Sequence, residues 1–345
     1  MTALTHETIL ISTGRRSGLP VIVAVHSTAL GQAVGGCRLW TYDDWQAGVA
    51  DALRLSSAMT LKCALAGLPL GGGKSVLAIP PGVDLTADLR RAVLHDLGDA
   101  VDSLGGAYGV GEDVGTTAQD MATVAERTRH AYGLPETDGG TGEPSEPTAV
   151  GVYESLLVTA EQVWGTTDLA GRRVAILGLG QVGSRLAVRL REAGATLVVS
   201  DIDPGERDLA ATLGAEWLDP DRVLAADADL LVPAALGGLL TPATVPDLQC
   251  RAVVGPANNQ LSESSVADLM AERGIVWAPD FLVNAGGVVF GFEMEFGSQD
   301  TATAMVAVTS IADTLRDVFV RAAAAGITPL AAATGLAEDR VAAAR

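Results

Sequence analysis

Two lysines twelve residues apart, Lys62 and Lys74, carry the strongest chemical signal in this chain, because Lys74 directly follows three glycines, Gly71, Gly72 and Gly73. A lysine shielded from water and set near another cation gives up its proton more readily, and so becomes a usable base. To work near neutrality, Lys74 must fall about three units below the free-lysine pKa of about 10.4, roughly 4 kcal/mol of differential interaction. Partial burial together with the field of Lys62 would supply that shift. The glycines would let a small ligand approach closely. A phosphate-binding loop is the rival, but it needs G-x-x-x-x-G-K-[ST], and the first glycine of that pattern falls here on Leu68, one residue past Gly67. The segment before it, residues 50–58, also reads as helix where a phosphate loop needs a strand. A plainer reading stays open on this segment alone: a tight glycine turn leading into a strand at 75–79, with Lys74 solvated.

The elements that must position these lysines form a mixed α/β region, with strands expected at 21–26 and 75–79 and helices at 47–59, 87–104 and 118–125. Residues 137–147, TDGGTGEPSEP, have the composition of an interdomain connection. A helix at 149–164 follows, and then short apolar strands alternate with helices, the mark of a parallel sheet covered on both faces. From about 301 the chain is alanine-rich and helical, with a break at 326–329.

The second half opens with an apolar strand at 173–177, the turn Gly178-Leu179-Gly180-Gln181-Val182-Gly183, a helical run to Ala193, a strand at 196–200 and then Asp201. Strand, glycines, helix, strand and terminal acid together are the fingerprint of a dinucleotide site. The glycines permit the tight turn and the approach of the pyrophosphate, while the helix amino end offers N–H groups to the anion. Asp201 would accept bonds from the ribose hydroxyls and repel a 2′-phosphate, which favours NAD over NADP. Histidines narrow the chemistry. The four are His6, His26, His95 and His130, so none follows the dinucleotide motif, where a 2-hydroxy-acid dehydrogenase needs one.

At 345 residues with 48% hydrophobic content, the chain can bury two substantial cores. A net charge of -19 argues against nucleic acid or an anionic membrane as partner, since both would repel it. The amino terminus lacks a signal-peptide pattern, and no apolar run reaches the roughly 18 residues of a membrane span, so a cytoplasmic protein is expected. Three cysteines, Cys37, Cys63 and Cys250, without C-x-x-C spacing, imply neither a disulfide framework nor a metal site.

Seven blocks now carry a resemblance. They are Gly35-Gly36-Cys37-Arg38, Met59-Thr60-Leu61-Lys62, Gly71-Gly72-Gly73-Lys74, Glu112-Asp113-Val114-Gly115-Thr116, Pro147-Thr148-Ala149, Ala257-Asn258-Asn259-Gln260, and Ala278-Pro279-Asp280 with Asn284-Ala285-Gly286-Gly287. In this order they resemble the glutamate, leucine, phenylalanine and valine dehydrogenases along nearly the whole chain. The resemblance implies reversible oxidative deamination of an L-amino acid to a 2-oxo acid and ammonia, with hydride passing to NAD. It implies two domains with the active site in a cleft: a substrate-binding and oligomerisation domain, 1–136 plus carboxy-terminal helices at about 325–345, and an NAD-binding domain, 147–324. It also implies a homo-oligomer.

By the same resemblance, Lys62 holds the substrate carboxylate, Lys74 is general base and acid, and Asp113 shuttles a proton to and from the amine. A helix-capping acid is the other reading of Asp113. Gly36 falls in a substrate-binding block, and Thr148, Asn259 and Asn284 match positions that contact the nicotinamide end or the substrate. Val34, Gly111, Val288 and Gly291 match positions around the substrate side chain. Two of these are glycine where relatives often carry alanine or valine, which enlarges the pocket. A bulky apolar amino acid such as phenylalanine is therefore the first expectation, with leucine or valine as the alternative. No lysine or serine is assignable to a side-chain carboxylate, which argues against glutamate. Cys37, Pro256 and the aromatic run Phe290 to Phe296 depart from the family pattern, and none removes a residue assigned to chemistry. A non-catalytic NAD-binding protein is the alternative of another class, and it has no use for Lys62, Lys74 and Asp113 together.

Overall fold

The computed structural model describes residues 5–297 and 300–345. The chain divides into two compact units, the first running to Glu143 and taking in a short piece from Met294 and the tail Ala337–Arg345, the second spanning Pro144–Glu293 and the helices up to Leu336.

In the first unit, β1 (Thr8–Thr13), β2 (Pro20–Ser27), β3 (Ala33–Thr41), β4 (Gly71–Ile79) and β5 (Tyr108–Glu112) form one mixed sheet in the order β1-β2-β4-β3-β5. Strand β4 pairs antiparallel with β2 and parallel with β3, which in turn pairs parallel with β5. Helices α1 (Trp45–Leu65) and α2 (Ala87–Ser103) make the crossovers from β3 to β4 and from β4 to β5, and α3 (Ala118–Ala125) follows β5. The period-two pattern of β2 sends Ile22 and Ala24 into one core with Ala52 of α1, and Val21, Val23 and Val25 into the other with Val93, Leu97 and Met121. Both faces are thus buried, which explains the continuous apolar character of β2 and β4.

The three glycines before Lys74 lie inside β4 and are buried, where the sequence allowed a turn. Their role is close approach. A Cβ on Gly71 would fall 2.0 Å from the Ser27 carbonyl oxygen, one on Gly72 2.1 Å from the Thr60 amide nitrogen, and one on Gly73 2.5 Å from the Tyr108 ring. Helix α1 rides directly over Gly72 and therefore runs past the expected end at 59, so that Met59 to Lys62 stand in its last turns. Asp44 caps its start by accepting from the Ala47 amide, and Arg340 closes its other end by donating to the Ala64 and Leu65 carbonyls at 2.8 and 2.7 Å.

In the second unit, β6 (Arg173–Leu177), β7 (Thr196–Ser200), β8 (Glu216–Trp217), β9 (Leu230–Pro233), β10 (Ala252–Val253) and β11 (Val276–Trp277) form a parallel sheet ordered β11-β10-β9-β6-β7-β8. Around it lie α4 (Ser145–Trp164), α5 (Gln181–Glu192), α6 (Arg207–Leu213), α7 (Ser265–Glu272), α8 (Asp280–Val283), α9 (Gly286–Glu295), α10 (Thr301–Thr309) and α11 (Ile311–Ala325), while α12 (Pro329–Ala343) closes the chain. Strand order reverses direction at β6, with β7 on one side and β9 on the other, and such a switch point is where a parallel sheet leaves a crevice for a ligand. Helix α4 starts at Ser145, earlier than expected, because Pro147 falls in its first turn, where a missing N–H costs nothing. Among the described residues, no single helix is long and apolar enough to cross a membrane.

The packing at Gly72 leaves no room for a methyl group against helix backbone, so Gly72→Ala should destabilise the fold by about 3 kcal/mol. Gly335, in α12, has nothing within 4 Å of a built Cβ, and Gly335→Ala should be neutral or stabilise by up to about 1 kcal/mol. Urea denaturation of both variants beside the parent chain measures the contrast.

Candidate active site

Lys74 and Asp113 come from different strands and meet through the sheet. Cys37 of β3 is in register with Ser75 of β4 on one side and Glu112 of β5 on the other, which sets Lys74 and Asp113 at the same level of the sheet. Lys74 Nζ lies 2.9 Å from Asp113 Oδ2, and Lys74 is only 5% exposed. Arg38 Nε donates to the same Asp113 oxygen at 3.1 Å. Gly36 makes room for this, since a Cβ there would stand 2.6 Å from Asp113 Cβ.

Asp113 does not cap a helix. Its backbone N–H donates to Thr116 Oγ1, and that hydroxyl donates to the Cys37 carbonyl at 2.9 Å, which ties the turn back to β3. The cap of α3 is Thr117, in a reciprocal capping box with Asp120. Gly115 holds this turn at φ +84, where a Cβ would fall 2.0 Å from the Leu39 carbonyl oxygen, a place no side chain could occupy.

Burial lowers the Lys74 pKa. Asp113 pulls the other way, and Arg38 adds to the lowering. The sequence-based expectation named Lys62 as the neighbouring cation; Arg38, in contact with the carboxylate that Lys74 shares, is a cation it did not name. Burial also works to raise the Asp113 carboxyl, but Lys74 and then Arg38 outweigh it, and its pKa lies below the ordinary carboxylate value. Burial pushes the adjacent Cys37 thiol up to about 12, so it stays protonated and uncharged. The site therefore holds one carboxylate acceptor and one amine that releases its proton more easily than usual, a pair suited to moving protons on and off a small substrate.

Other expected substrate positions distribute as follows. Val34 and Gly36 lie on β3 opposite Gly109 and Gly111 of β5. Lys62 stands half-buried on α1, two residues beyond Thr60, which packs on Gly72. Val288 and Gly291 lie on α9 and Asn259 follows β10, all in the second unit. Asn259 is exposed at φ +53, with its carbonyl accepting from the Gly238 amide. Sequence reasoning missed the part played by Arg38 and by Asp51, which holds it. Arg38 stood in one of the motif blocks, but a partner 75 residues away leaves no local signal.

The glycines expected to hold the dinucleotide lie at the β6–α5 turn. Gly178 adopts φ +105, and a Cβ on Gly183 would lie 2.0 Å from the Gly178 carbonyl oxygen, so both must be glycine. Gly180 begins α5 without a side-chain cap and has open space where a Cβ would be, leaving the Gln181, Val182 and Gly183 end of the helix to face an anion. Asp201 accepts from the Leu179 amide at 2.6 Å through one oxygen and from the Asp203 amide at 2.8 Å through the other. Each oxygen keeps a second lone pair for a ribose hydroxyl. A hollow of about 310 Å³ adjoins it, lined by Asp201, Ile202, Pro204, Arg207 and Trp217 among others. Asn284 donates to the Pro256 carbonyl and to Asn258 Oδ1, while its own Oδ1 is buried with no partner and suits an amide N–H of a ligand. Thr148 of α4 bonds the Pro144 carbonyl and lies against Gly287. Buried Gln260 braces the loop that carries Asn258 and Asn259, donating to the Gly255 and Ala257 carbonyls and accepting from Trp277. These residues fit a nicotinamide dinucleotide: a glycine turn at a helix start, an acid at the next strand end, and an orphaned amide oxygen.

One unit with a parallel dinucleotide sheet and another with a mixed sheet carrying a buried Lys–Asp pair define the class of a nicotinamide-linked oxidoreductase. Residues 5–130 match the Glu/Leu/Phe/Val dehydrogenase dimerisation domain, and residues 200–345 match the Glutamate/Leucine/Phenylalanine/Valine dehydrogenase domain. Residues 153–239 also match the NAD binding domain of D-isomer specific 2-hydroxyacid dehydrogenases, a likeness confined to the dinucleotide region. The chain is 39% identical to leucine dehydrogenase of Thermoactinomyces intermedius over 97% of its own length and 91% of the relative's. It is 38% identical to phenylalanine dehydrogenase of Lysinibacillus sphaericus, over 95% and 86%. The crystal structure of L-tryptophan dehydrogenase from Nostoc punctiforme superposes with a TM-score of 0.84 at 36% identity, covering 99% of this chain and 96% of that one. The chain belongs to the Glu/Leu/Phe/Val dehydrogenase family and is an amino-acid dehydrogenase, an oxidoreductase acting on CH–NH2 donors.

Removing the carboxylate tests the electrostatics directly. In Asp113→Asn the Lys74 amine loses its counter-ion, and its folded-state pKa falls further below the unfolded value of 10.5. A depressed lysine destabilises the fold below its unfolded pKa and ceases to do so above it. Asp113→Asn should therefore lose about 3 kcal/mol at pH 7, with the gap to the parent narrowing toward pH 10. Urea denaturation at the two pH values measures it.

Proposed function

We propose that this enzyme catalyses NAD-dependent oxidative deamination of an apolar L-amino acid to its 2-oxo acid and ammonia, reversibly. The observation that carries the reading is the buried Lys74–Asp113 pair at 2.9 Å. In the proposed reaction, Lys62 holds the substrate carboxylate and the ionised Asp113 takes a proton from the substrate ammonium, so that the amine nitrogen has a free lone pair. When bound at the β6–α5 turn, the dinucleotide supplies the hydride acceptor. Lys74, with its lowered pKa, removes a proton from the water that attacks the imine carbon, and returns it as the amine leaves. The same residues serve the ammonia-incorporating direction by microscopic reversibility.

Asp201 supports NAD over NADP, since a carboxylate at the ribose repels a 2′-phosphate. Thr148 and Asn284 are assigned to the nicotinamide end and Asn259 to the substrate. Substrate choice is assigned to Val34, Gly36, Gly111, Val288 and Gly291. Gly111 meets only the Tyr132 carbonyl oxygen, at 3.9 Å from a built Cβ, and Gly291 meets nothing within 4 Å. Packing does not demand glycine at either, and the space they leave favours a bulky side chain, phenylalanine first. Leucine or valine is the second reading, favoured by the Glu112 to Thr116 segment and by the leucine dehydrogenase relatives. The matched dimerisation domain supports a homo-oligomer, and a cytoplasmic location goes with the use of NAD and free amino acids.

NADH formation at 340 nm with L-phenylalanine, L-tryptophan, L-leucine, L-valine and L-glutamate tests the reading. Oxidation of at least one apolar substrate is expected, with Lys74→Ala reducing kcat by at least about 10³-fold; silence across the panel with NADH binding intact would sink it. In the same preparations NADH should bind at least about tenfold more tightly than NADPH, and Asp201→Ala should erase that preference.

A further inference from the structure

Arg38 occupies a position that neither lysine explains. Its Nε donates to Asp113 Oδ2 at 3.1 Å, and its Nη1 donates to Asp51 Oδ2 at 2.9 Å. Asp51 is itself held, accepting from Tyr42 Oη at 2.8 Å and from Arg54 Nη2 at 2.6 Å. The Arg38 side chain is only 20% exposed, so its charge is weakly screened. We propose that Arg38 is a positioning residue for the deamination, a fixed cation braced by Asp51 that clamps Asp113 Oδ2 and shares it with Lys74. The inference rests on the function proposed above.

A guanidinium remains charged at every working pH, and its rigid fork spans two carboxylates in a way an ammonium cannot reproduce. Both cations meet Oδ2 within 3.1 Å, which fixes the carboxylate in one orientation for a substrate ammonium. The same charge acts on both titrating groups, lowering Asp113 and Lys74 alike. Around the pair stand Cys37 of β3, Tyr108 of β5 and Asp120 of α3, with Asp51 and Arg54 of α1 and Tyr42 behind Arg38. Deamination needs Asp113 ionised and Lys74 neutral, so the rate falls on the acid side. Loss of Arg38 raises both pKa values and moves that acid limb to higher pH.

The test is kcat/KM against pH for the parent enzyme, Arg38→Met and Arg38→Lys on the substrate the parent oxidises best, with NADH affinity and thermal unfolding measured on each. Arg38→Met should bind NADH normally, lose about 100-fold in kcat/KM and show the acid limb displaced upward. Arg38→Lys should restore the limb while recovering only part of the rate. A folded Arg38→Met with the parental limb and rate overturns the inference and leaves the function standing, whereas a silent parent enzyme overturns both. Should Arg38→Met fail to fold, Asp51→Asn carries the test, because it frees the clamp and keeps its charge. A kcat about tenfold lower with the acid limb not displaced upward supports the clamp, and a parental kcat overturns it.

Discussion

Everything in the first unit turns on keeping one amine out of water beside one carboxylate. Burying Lys74 lowers its hold on its proton, and Asp113 limits how far that goes, so the amine titrates between the free and the fully desolvated extremes. Neither group could be buried alone without a penalty of several kcal/mol. The pair is supported because a second cation, Arg38, meets the same carboxylate, and because Asp51 neutralises Arg38 in turn. Charge therefore alternates along the chain of contacts Lys74, Asp113, Arg38, Asp51, Arg54, from the buried amine out to an exposed guanidinium.

That electrostatic arrangement requires unusually close packing, which the glycines supply. Gly71, Gly72 and Gly73 bring β4 against β2, α1 and Tyr108, and Gly35 lies with a built Cβ only 1.9 Å from the Gly73 carbonyl oxygen. Gly36 does the same beneath Asp113. These glycines are not there for special backbone angles, since none of them has a positive φ. They are there because neighbouring backbone, or at Gly73 the Tyr108 ring, occupies the space a side chain would need, and the close contact squeezes solvent away from Lys74.

Local patterns were legible in the sequence in proportion to how local their cause is. The β6–α5 turn and Asp201 could be read because one stretch of chain makes the whole feature, from Val174 to Asp201. Helix α3 was bounded correctly at 118–125, where Thr117 and Asp120 form a capping box in four residues. The extension of α1 past 59 was not legible, because it depends on Gly72 of another strand and on Arg340 near the end of the chain. Strands β1 and β3 were missed for a related reason. β1 is an edge strand with mostly exposed residues, and β3 begins with two small buried residues and two glycines whose value lies only in their neighbours. Within the site, Lys74 and Asp113 stood out by motif, whereas Arg38 gains meaning only from the fold that sets Asp51 and Asp113 on either end of its guanidinium.

The glycines also separate stability from substrate choice. At Gly36 or Gly72 any side chain would collide with backbone, so those positions answer to the fold and to the charge pair. At Gly111 and Gly291 a Cβ meets ordinary contact or open space, so the fold tolerates larger residues at each. Volume can therefore change at Gly111 and Gly291 without disturbing the Lys74–Asp113–Arg38 contacts, which are anchored through glycines that packing holds fixed.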